Sequence, residues 1–258
     1  YDHNMLVMSE KISDHLPKTK KFHPKQRLWY IRAKEVVISS GSIERPLVFG
    51  NNDTPGVMLS SAAKEYLKVY GVLVGKKPLI FTNNDSGYET AIEFKKNGVE
   101  PIILDTRKNP KSEIIDEAKN LGIQIKFSYV VVAAKGYKKV KSAEIAKISD
   151  DKSELDKLEN INCDCICVSG FWTPTIHLAS QSGNKTKFDK KIDAFVPGAP
   201  KQNETTLGAA NGTFTLEETL KNSFDAGYKL SKNITNNDNK VSFPVVVEKN
   251  SSGHDKFW

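Results

Sequence analysis

The sequence predicts an α/β fold. Three observations carry that expectation: regular β-α-β alternation from Lys76, apolar residues recurring at helical spacing between the strands, and a return to irregular, glycine-rich sequence after Gly170. A chain of 258 residues supports one or two domains. A 38% hydrophobic fraction beside 27% charged residues leaves enough apolar side chain for a core and excludes global disorder.

Leu6 to Glu10 and Arg27 to Ile31 are short, apolar and partly alternating, and read as a strand pair. Glu35 to Gly41 reads as a buried strand ending in small residues, with a proline-rich exit through Pro46 and Pro55-Gly56. Ser60 or Ser61 can cap a helix through Tyr70, with Gly71 after its last turn. Pro78 to Phe81 is a strand; Tyr88 to Asn97 is helical, with Tyr88, Ala91, Ile92 and Lys95 on one face and Gly98 as its stop. Val99 to Leu104 is the next strand and ends in Asp105, and Pro110 opens a helix whose Ile114, Ile115, Ala118 and Leu121 recur before Gly122. Ile123 to Tyr129 and the valines after it read as one strand, which Lys135-Gly136-Tyr137 turns into a hairpin returning through Ile148. A charged linker, Ser149 to Asn160, leads to a strand over Cys163 to Val168. Leu216 to Leu230 is a helix with Thr213 and Thr215 as caps, and the Asn-, Lys- and Ser-rich tail holds one apolar patch, Phe243 to Val247. The whole is a dinucleotide-domain plan with a β-meander before the last strand. Residues 1–57 and 171–230 then form one β-rich domain, 58–170 an inserted Rossmann-like domain, and 231–258 a linker.

The net charge of +7 raises nucleic acid as a partner, but 34 of the 38 cations are lysines spread along the chain. No nucleic-acid partner is expected, and no apolar run is long enough to span a membrane. Cys163, Cys165 and Cys167 would share one side of a strand, a poor geometry for tetrahedral zinc, so they read as buried core thiols of a reducing, cytoplasmic compartment. The start at Tyr1 reads as an excised piece.

A phosphate-binding β-α turn needs glycines at fixed places. Where that turn belongs, the pattern reads Thr82-x-Asn84-x-x-Gly87-x-Glu89: the packing glycine remains, while both phosphate-facing glycines are larger. Asp105 stands 18 positions beyond Gly87, where an acid would bind a ribose hydroxyl. Two readings stay open: a site using Thr82, Asn83 and Asn84 as phosphate donors, or a retained fold whose site has lapsed. His177 reads as a structural hydrogen-bonder, and Arg45 can reach a phosphate or pin a loop. No catalytic triad, metal-type His cluster or carboxylate pair emerges from spacing.

In order along the chain stand Tyr1-Asp-His-Asn, Ser13-Asp-His-Leu, Arg27-Leu-Trp-Tyr-Ile-Arg32, Ile43-Glu-Arg-Pro-Leu-Val-Phe49, Pro55-Gly-Val-Met, Phe81-Thr-Asn-Asn-Asp-Ser, Val168-Ser-Gly and Pro174-Thr-Ile-His-Leu-Ala-Ser-Gln-Ser-Gly183. Over residues 1 to 230 this series resembles the alpha subunit of heterotetrameric sarcosine oxidase. The resemblance implies a two-dinucleotide-binding-domain flavoprotein fold whose first glycine-rich turn lies before Tyr1 and whose aminomethyltransferase-like domain begins near Trp258. It implies oxidation of N-methylglycine at an FAD in the beta subunit, an FMN at the alpha-beta interface, NAD held by the alpha subunit, and beta, gamma and delta partners. No amine-oxidising chemistry is expected in this segment. Carried over by position, Ser39-Ser40-Gly41 matches the turn that lies against the first-domain dinucleotide, and Gly208 to Phe214 the second contacting segment. The candidate cofactor-binding residues are Leu6, Ser40, Gly41, Gly208, Ala209 and Phe214. The usual Gly-Asp pair is missing from the second segment, which suits NAD rather than a flavin. Another two-domain amine or amino-acid dehydrogenase subunit and a structural module without nucleotide are the alternatives.

Overall fold

The computed structural model describes residues 3–149, 151, 153–235 and 253–255; the apolar patch expected at Phe243 to Val247 lies outside them. Along the chain run β1 (Met5–Lys11), β2 (Gln26–Arg32), β3 (Val36–Ile38), β4 (Ser42–Glu44), β5 (Val57–Leu59), α1 (Ser60–Tyr70), β6 (Pro78–Thr82), α2 (Ser86–Lys96), β7 (Ile102–Asp105) and α3 (Glu113–Asn120). Then follow β8 (Gln124–Phe127), β9 (Tyr129–Lys135), β10 (Ser142–Lys147), β11 (Glu159–Asn162), β12 (Cys165–Ser169), β13 (Trp172–Pro174), α4 (His177–Gln181), β14 (Thr186–Asp189), β15 (Ala194–Pro197), β16 (Glu204–Thr206), a 3-10 turn (Gly208–Asn211) and α5 (Leu216–Thr235). Two compact units result, a first from 1–43 and 173–248 and a second from 44–172 and 249–258.

The second unit is built on a five-stranded parallel sheet, ordered β5-β12-β6-β7-β8. Every residue of β6 and β12 is buried, as continuous apolar runs in a parallel sheet require. Alternation along β6 sends Leu79 and Phe81 toward the meander β9-β10-β11 and Ile80 toward α1, α2 and α3, so two cores lie on opposite faces. Residues 44–57, expected with the first domain, pack here: Leu47 and Phe49 are buried, and Phe49 stands edge-on to Phe81 at 5.9 Å.

Local chemistry accounts for several departures from the sequence reading. The strand expected across Ile123 to Ala134 is two strands, because Ser128 adopts φ +58° and turns the chain from the parallel sheet into the meander. Helix α1 has Leu59, not a serine, at its N-cap; the Ser61 amide instead donates to the buried carboxylate of Glu44 at 2.8 Å, where an acid meets the positive helix end. Helix α3 starts at Glu113 rather than Pro110. Part of the expected charged linker is β11. The three cysteines do not share a side: Cys163 joins the meander core while Cys165 and Cys167 join the helical core. The cause is Asp164, whose two carboxylate oxygens accept the amides of Lys76 and Lys77 at 2.8 and 2.7 Å and delay the strand until Cys165.

In the first unit, β1 and β2 pair antiparallel with Leu6 opposite Ile31. Neither strand is deeply buried, and Val7, Leu28, Trp29 and Tyr30 are exposed. Asn4 ties the hairpin's base, its amide donating to Gln202 Oε1 at 2.8 Å and its side chain to the carbonyls of Lys34 and Asn203. β14 and β15 form a second antiparallel pair, with Phe188 edge-on to Phe195 at 5.3 Å. β3 runs parallel to β16, Val36 facing Glu204 and Ile38 facing Thr206. Thr215 caps helix α5: Glu218 N donates to Thr215 Oγ1 at 3.3 Å, and that hydroxyl donates to Glu218 Oε2 at 3.1 Å. It continues to Thr235, past the expected end at Leu230.

Candidate functional site

In a parallel sheet, ligands bind beyond the carboxyl ends of the strands where their connections diverge. In the second unit that point lies between β6, which leads through α2 to β7, and β12 on its other side. The packing role of Gly87 is plain there, since a Cβ on it would stand 2.7 Å from Thr82 Cβ and Oγ1. The phosphate cradle, however, is filled by side chains. Thr82 Oγ1 accepts the Asn84 amide at 3.2 Å and donates to the Asn84 carbonyl at 2.9 Å. Asn84 Oδ1 accepts the Ser86 amide at 2.9 Å, and Asn84 Nδ2 donates to the Ser169 carbonyl at 3.1 Å. The amides of Asn83, Asn84 and Ser86, which would face a diphosphate, already have internal acceptors, and Thr82, Asn83 and Asn84 are at most 2% exposed.

Asp105 is committed as well. It is fully buried at the end of β7 and accepts the Tyr88 hydroxyl at 2.6 Å, the Arg107 amide at 2.9 Å and the Arg107 guanidinium at 2.8 Å. Arg107 Nη1 donates to Asp85 at 2.8 Å. Burial and the neighbouring Asp105 charge push the Tyr88 hydroxyl well above its usual range. Burial opposes the Arg107 charge, but hydrogen bonds and charges from Asp105 and Asp85 outweigh it and hold the guanidinium firmly ionised. A carboxylate saturated by such bonds is a structural anchor. The sequence singled out Asp105 but missed Tyr88, Asp85 and Arg107; the available signal was an arginine, one of four in the chain, two residues past a strand-ending acid. Beside this network lies a cavity of about 380 Å³ lined by Thr106, Arg107, Lys108, Ser128 and His254.

In the first unit, the parallel pairing of β3 with β16 brings the two expected turns to the same end. Leu207 N donates to the Ile38 carbonyl at 2.9 Å, so Ser39-Ser40-Gly41 leaves β3 where Gly208 begins its turn. Ser40 Oγ donates to the Thr175 carbonyl at 2.8 Å, and Thr175 N donates to the Gly41 carbonyl at 2.9 Å. Gly41 sits at φ +75°, and a Cβ there would meet nothing within 4 Å. Gly208, at φ +64°, is buried and accepts Thr213 N at 3.1 Å, which draws Ala209 and the approach to Phe214 into the same turn. Leu6 stands apart from this pairing, opposite Ile31 in the hairpin. His177 is exposed at the start of α4. Arg45 Nε donates to the Gly170 carbonyl at 3.1 Å and pins that loop. Among the described residues no cluster of His, Cys, Asp or Glu could hold a metal ion, and no helix is long and apolar enough to cross a membrane.

One unit holds a parallel sheet with crossover helices and a meander and the other a pair of parallel strands, an α/β fold of Rossmann-like type. Solved structures bear this out: L-proline dehydrogenase from P. horikoshii matches with a TM-score of 0.57 at 20% identity over 90% of this chain and 38% of its own. T. acidophilum thioredoxin reductase matches at 0.56 with 16% identity, over 73% of this chain and 62% of its own. No family model matches the chain. Curated relatives narrow the class. The sarcosine oxidase subunit alpha of Corynebacterium sp. (strain P-1) is 33% identical over 223 residues, 85% of this chain and 23% of that protein. That of Rhizobium meliloti (strain 1021) is 35% identical over 221 residues, 83% of this chain and 21% of that protein. The resemblance read from the ordered motifs is thereby shown: the chain aligns with one segment of the sarcosine oxidase alpha subunits and spans under a quarter of the length of these relatives.

Proposed function

We propose that this chain is the NAD-holding scaffold of a sarcosine-oxidase-like alpha subunit, within a cytoplasmic multi-subunit flavoprotein that oxidatively demethylates sarcosine. In this reading FAD and FMN belong in or at a beta-type partner, gamma- and delta-type subunits complete the assembly, and the chain alone oxidises no amine. The observation that carries the assignment is identity above 30% to sarcosine oxidase alpha subunits over most of the chain. The cofactor's place is argued from a contrast: the amides of Asn83, Asn84 and Ser86 in the turn after β6 have internal acceptors, whereas Gly41 has open space before it, with Gly208 at the same end of the β3–β16 pair. Ser40, Gly41 and the Gly208 to Phe214 segment then form one wall of the NAD pocket, and Leu6 is the member of the proposed set with least support from strand pairing. Bound NAD would bring a hydride-accepting nicotinamide; these residues would supply shape and hydrogen bonds, not a proton or a nucleophile.

The test is the nucleotide content of the complete assembly. NAD released on denaturation should be stoichiometric with the alpha subunit and lost in a Gly41→Val variant, with Gly41→Ala as the milder control for the strained φ. Stoichiometric NAD in the folded valine variant would overturn this placement and return attention to Thr82 to Gly87. A second reading, a structural module with no nucleotide, is favoured by the filled cradle of the second unit and requires the intact assembly to release none.

A further inference from the structure

The second unit's crevice holds a piece of its own chain. Asp255 N donates to the Asn83 carbonyl at 2.9 Å, and Asn83 Nδ2 returns the contact to the Asp255 carbonyl at 2.8 Å. Asn84 and His254 form an antiparallel bridge, and Arg107 Nη1 donates to the Gly253 carbonyl at 3.0 Å. The His254 ring stacks on Phe171, centroids 4.1 Å apart and planes 13° from parallel. Phe171 holds φ +76°, a conformation a bulky side chain adopts only when its surroundings impose it. These contacts come from residues just beyond the ends of β6, β7 and β12, the rim where a dinucleotide would lie.

We infer that this crevice is a peptide seat whose occupant is the chain's own Gly253–Asp255, held as a short added strand with an aromatic clamp, in place of a nucleotide. Its recognition is that of strand addition: main-chain hydrogen bonds supply attachment, and one ring in one slot supplies register. Asn83 suits this role because it offers a backbone carbonyl and a side-chain amide to the same residue. Arg107, already fixed by Asp105 and Asp85, also donates from Nη1 to the neutral Gly253 carbonyl. The seat holds Gly253–Asp255 on the second unit, whatever the first unit binds.

Hydrogen exchange on the full 258-residue chain tests this. The Asp255 amide should exchange at least tenfold more slowly than an unstructured amide, and His254→Ala should remove that protection while the β9 and β10 amides stay unchanged. Phe171→Ala, which removes the other ring, should act alike; if either variant unfolds, the other and the wild-type Asp255 rate still decide. Added NAD at millimolar concentration should leave the amides of residues 83–86 unaltered. An unprotected Asp255 amide in the wild type, protection that survives loss of both rings, or NAD-dependent slowing at residues 83–86 would each overturn the inference. None of these readouts depends on whether the first unit carries NAD.

Discussion

The turn after β6 and the turns after β3 and β16 occupy equivalent places, the carboxyl ends of parallel strands, and they differ in who satisfies the backbone. After β6, Thr82 and Asn84 turn their own oxygens onto the amides of Asn84 and Ser86, and the site is sealed at the level of hydrogen bonds. After β3, the Ser40 hydroxyl is spent on a carbonyl and Gly41 leaves its surroundings open. A glycine position in a nucleotide fold is therefore a decision about donors as well as space: a threonine or asparagine there closes the turn chemically before it blocks it sterically.

That contrast can be broken by experiment. The largest effect is expected from Arg107→Ala, which leaves the fully buried Asp105 carboxylate without its cation; about 3–5 kcal/mol should vanish from the second unit's stability in denaturant unfolding. A loss under about 1 kcal/mol would mean Asp105 is not the anchor described. Asn84→Ala comes next, since it removes the side-chain acceptor of the Ser86 amide and one of two donors to the buried Ser169 carbonyl, at about 1–3 kcal/mol.

Alkali follows. Burial, with the nearby Cys165 and Asp164 charges, pushes the Cys163 thiol up to about 12 from an ordinary 9.0. The folded state thus keeps a proton that the unfolded state releases; stability is full below pH 9 and declines as pH rises toward 12, by about 1 kcal/mol at pH 10. Thermal melts between pH 8 and 10 would check this, and a flat profile would exclude a buried thiol. The smallest effect should come from Ser40→Ala in the first unit, under about 1 kcal/mol, since water can replace an exposed hydroxyl's bond. Equal losses for Ser40→Ala and Asn84→Ala would erase the distinction between the two turns.

What was legible in the sequence follows the range of the forces involved. Strand β6 and helix α2 were readable because hydrophobic periodicity is local. The break at Ser128 was not, because a lone left-handed serine carries no signature in a run of valines and aromatics. Cys163 was turned the wrong way because Asp164's bonds to Lys76 and Lys77 span almost ninety positions. The larger residues in the turn after β6 showed as missing glycines, but the contact of Asn83 with Asp255 depends wholly on tertiary placement.

The β3–β16 pairing has a consequence on the ribosome. Val36 meets Glu204, a residue made 168 positions later. At about 5–20 residues per second, β3 waits roughly 10–30 s for its neighbour, while the core strands of the second unit, all drawn from 57–169, are complete before β16 is synthesised. The nascent chain thus carries an unpaired strand edge and an apolar hairpin while the second unit's core strands are already complete, which makes the β3–β16 pair the last parallel pairing to form.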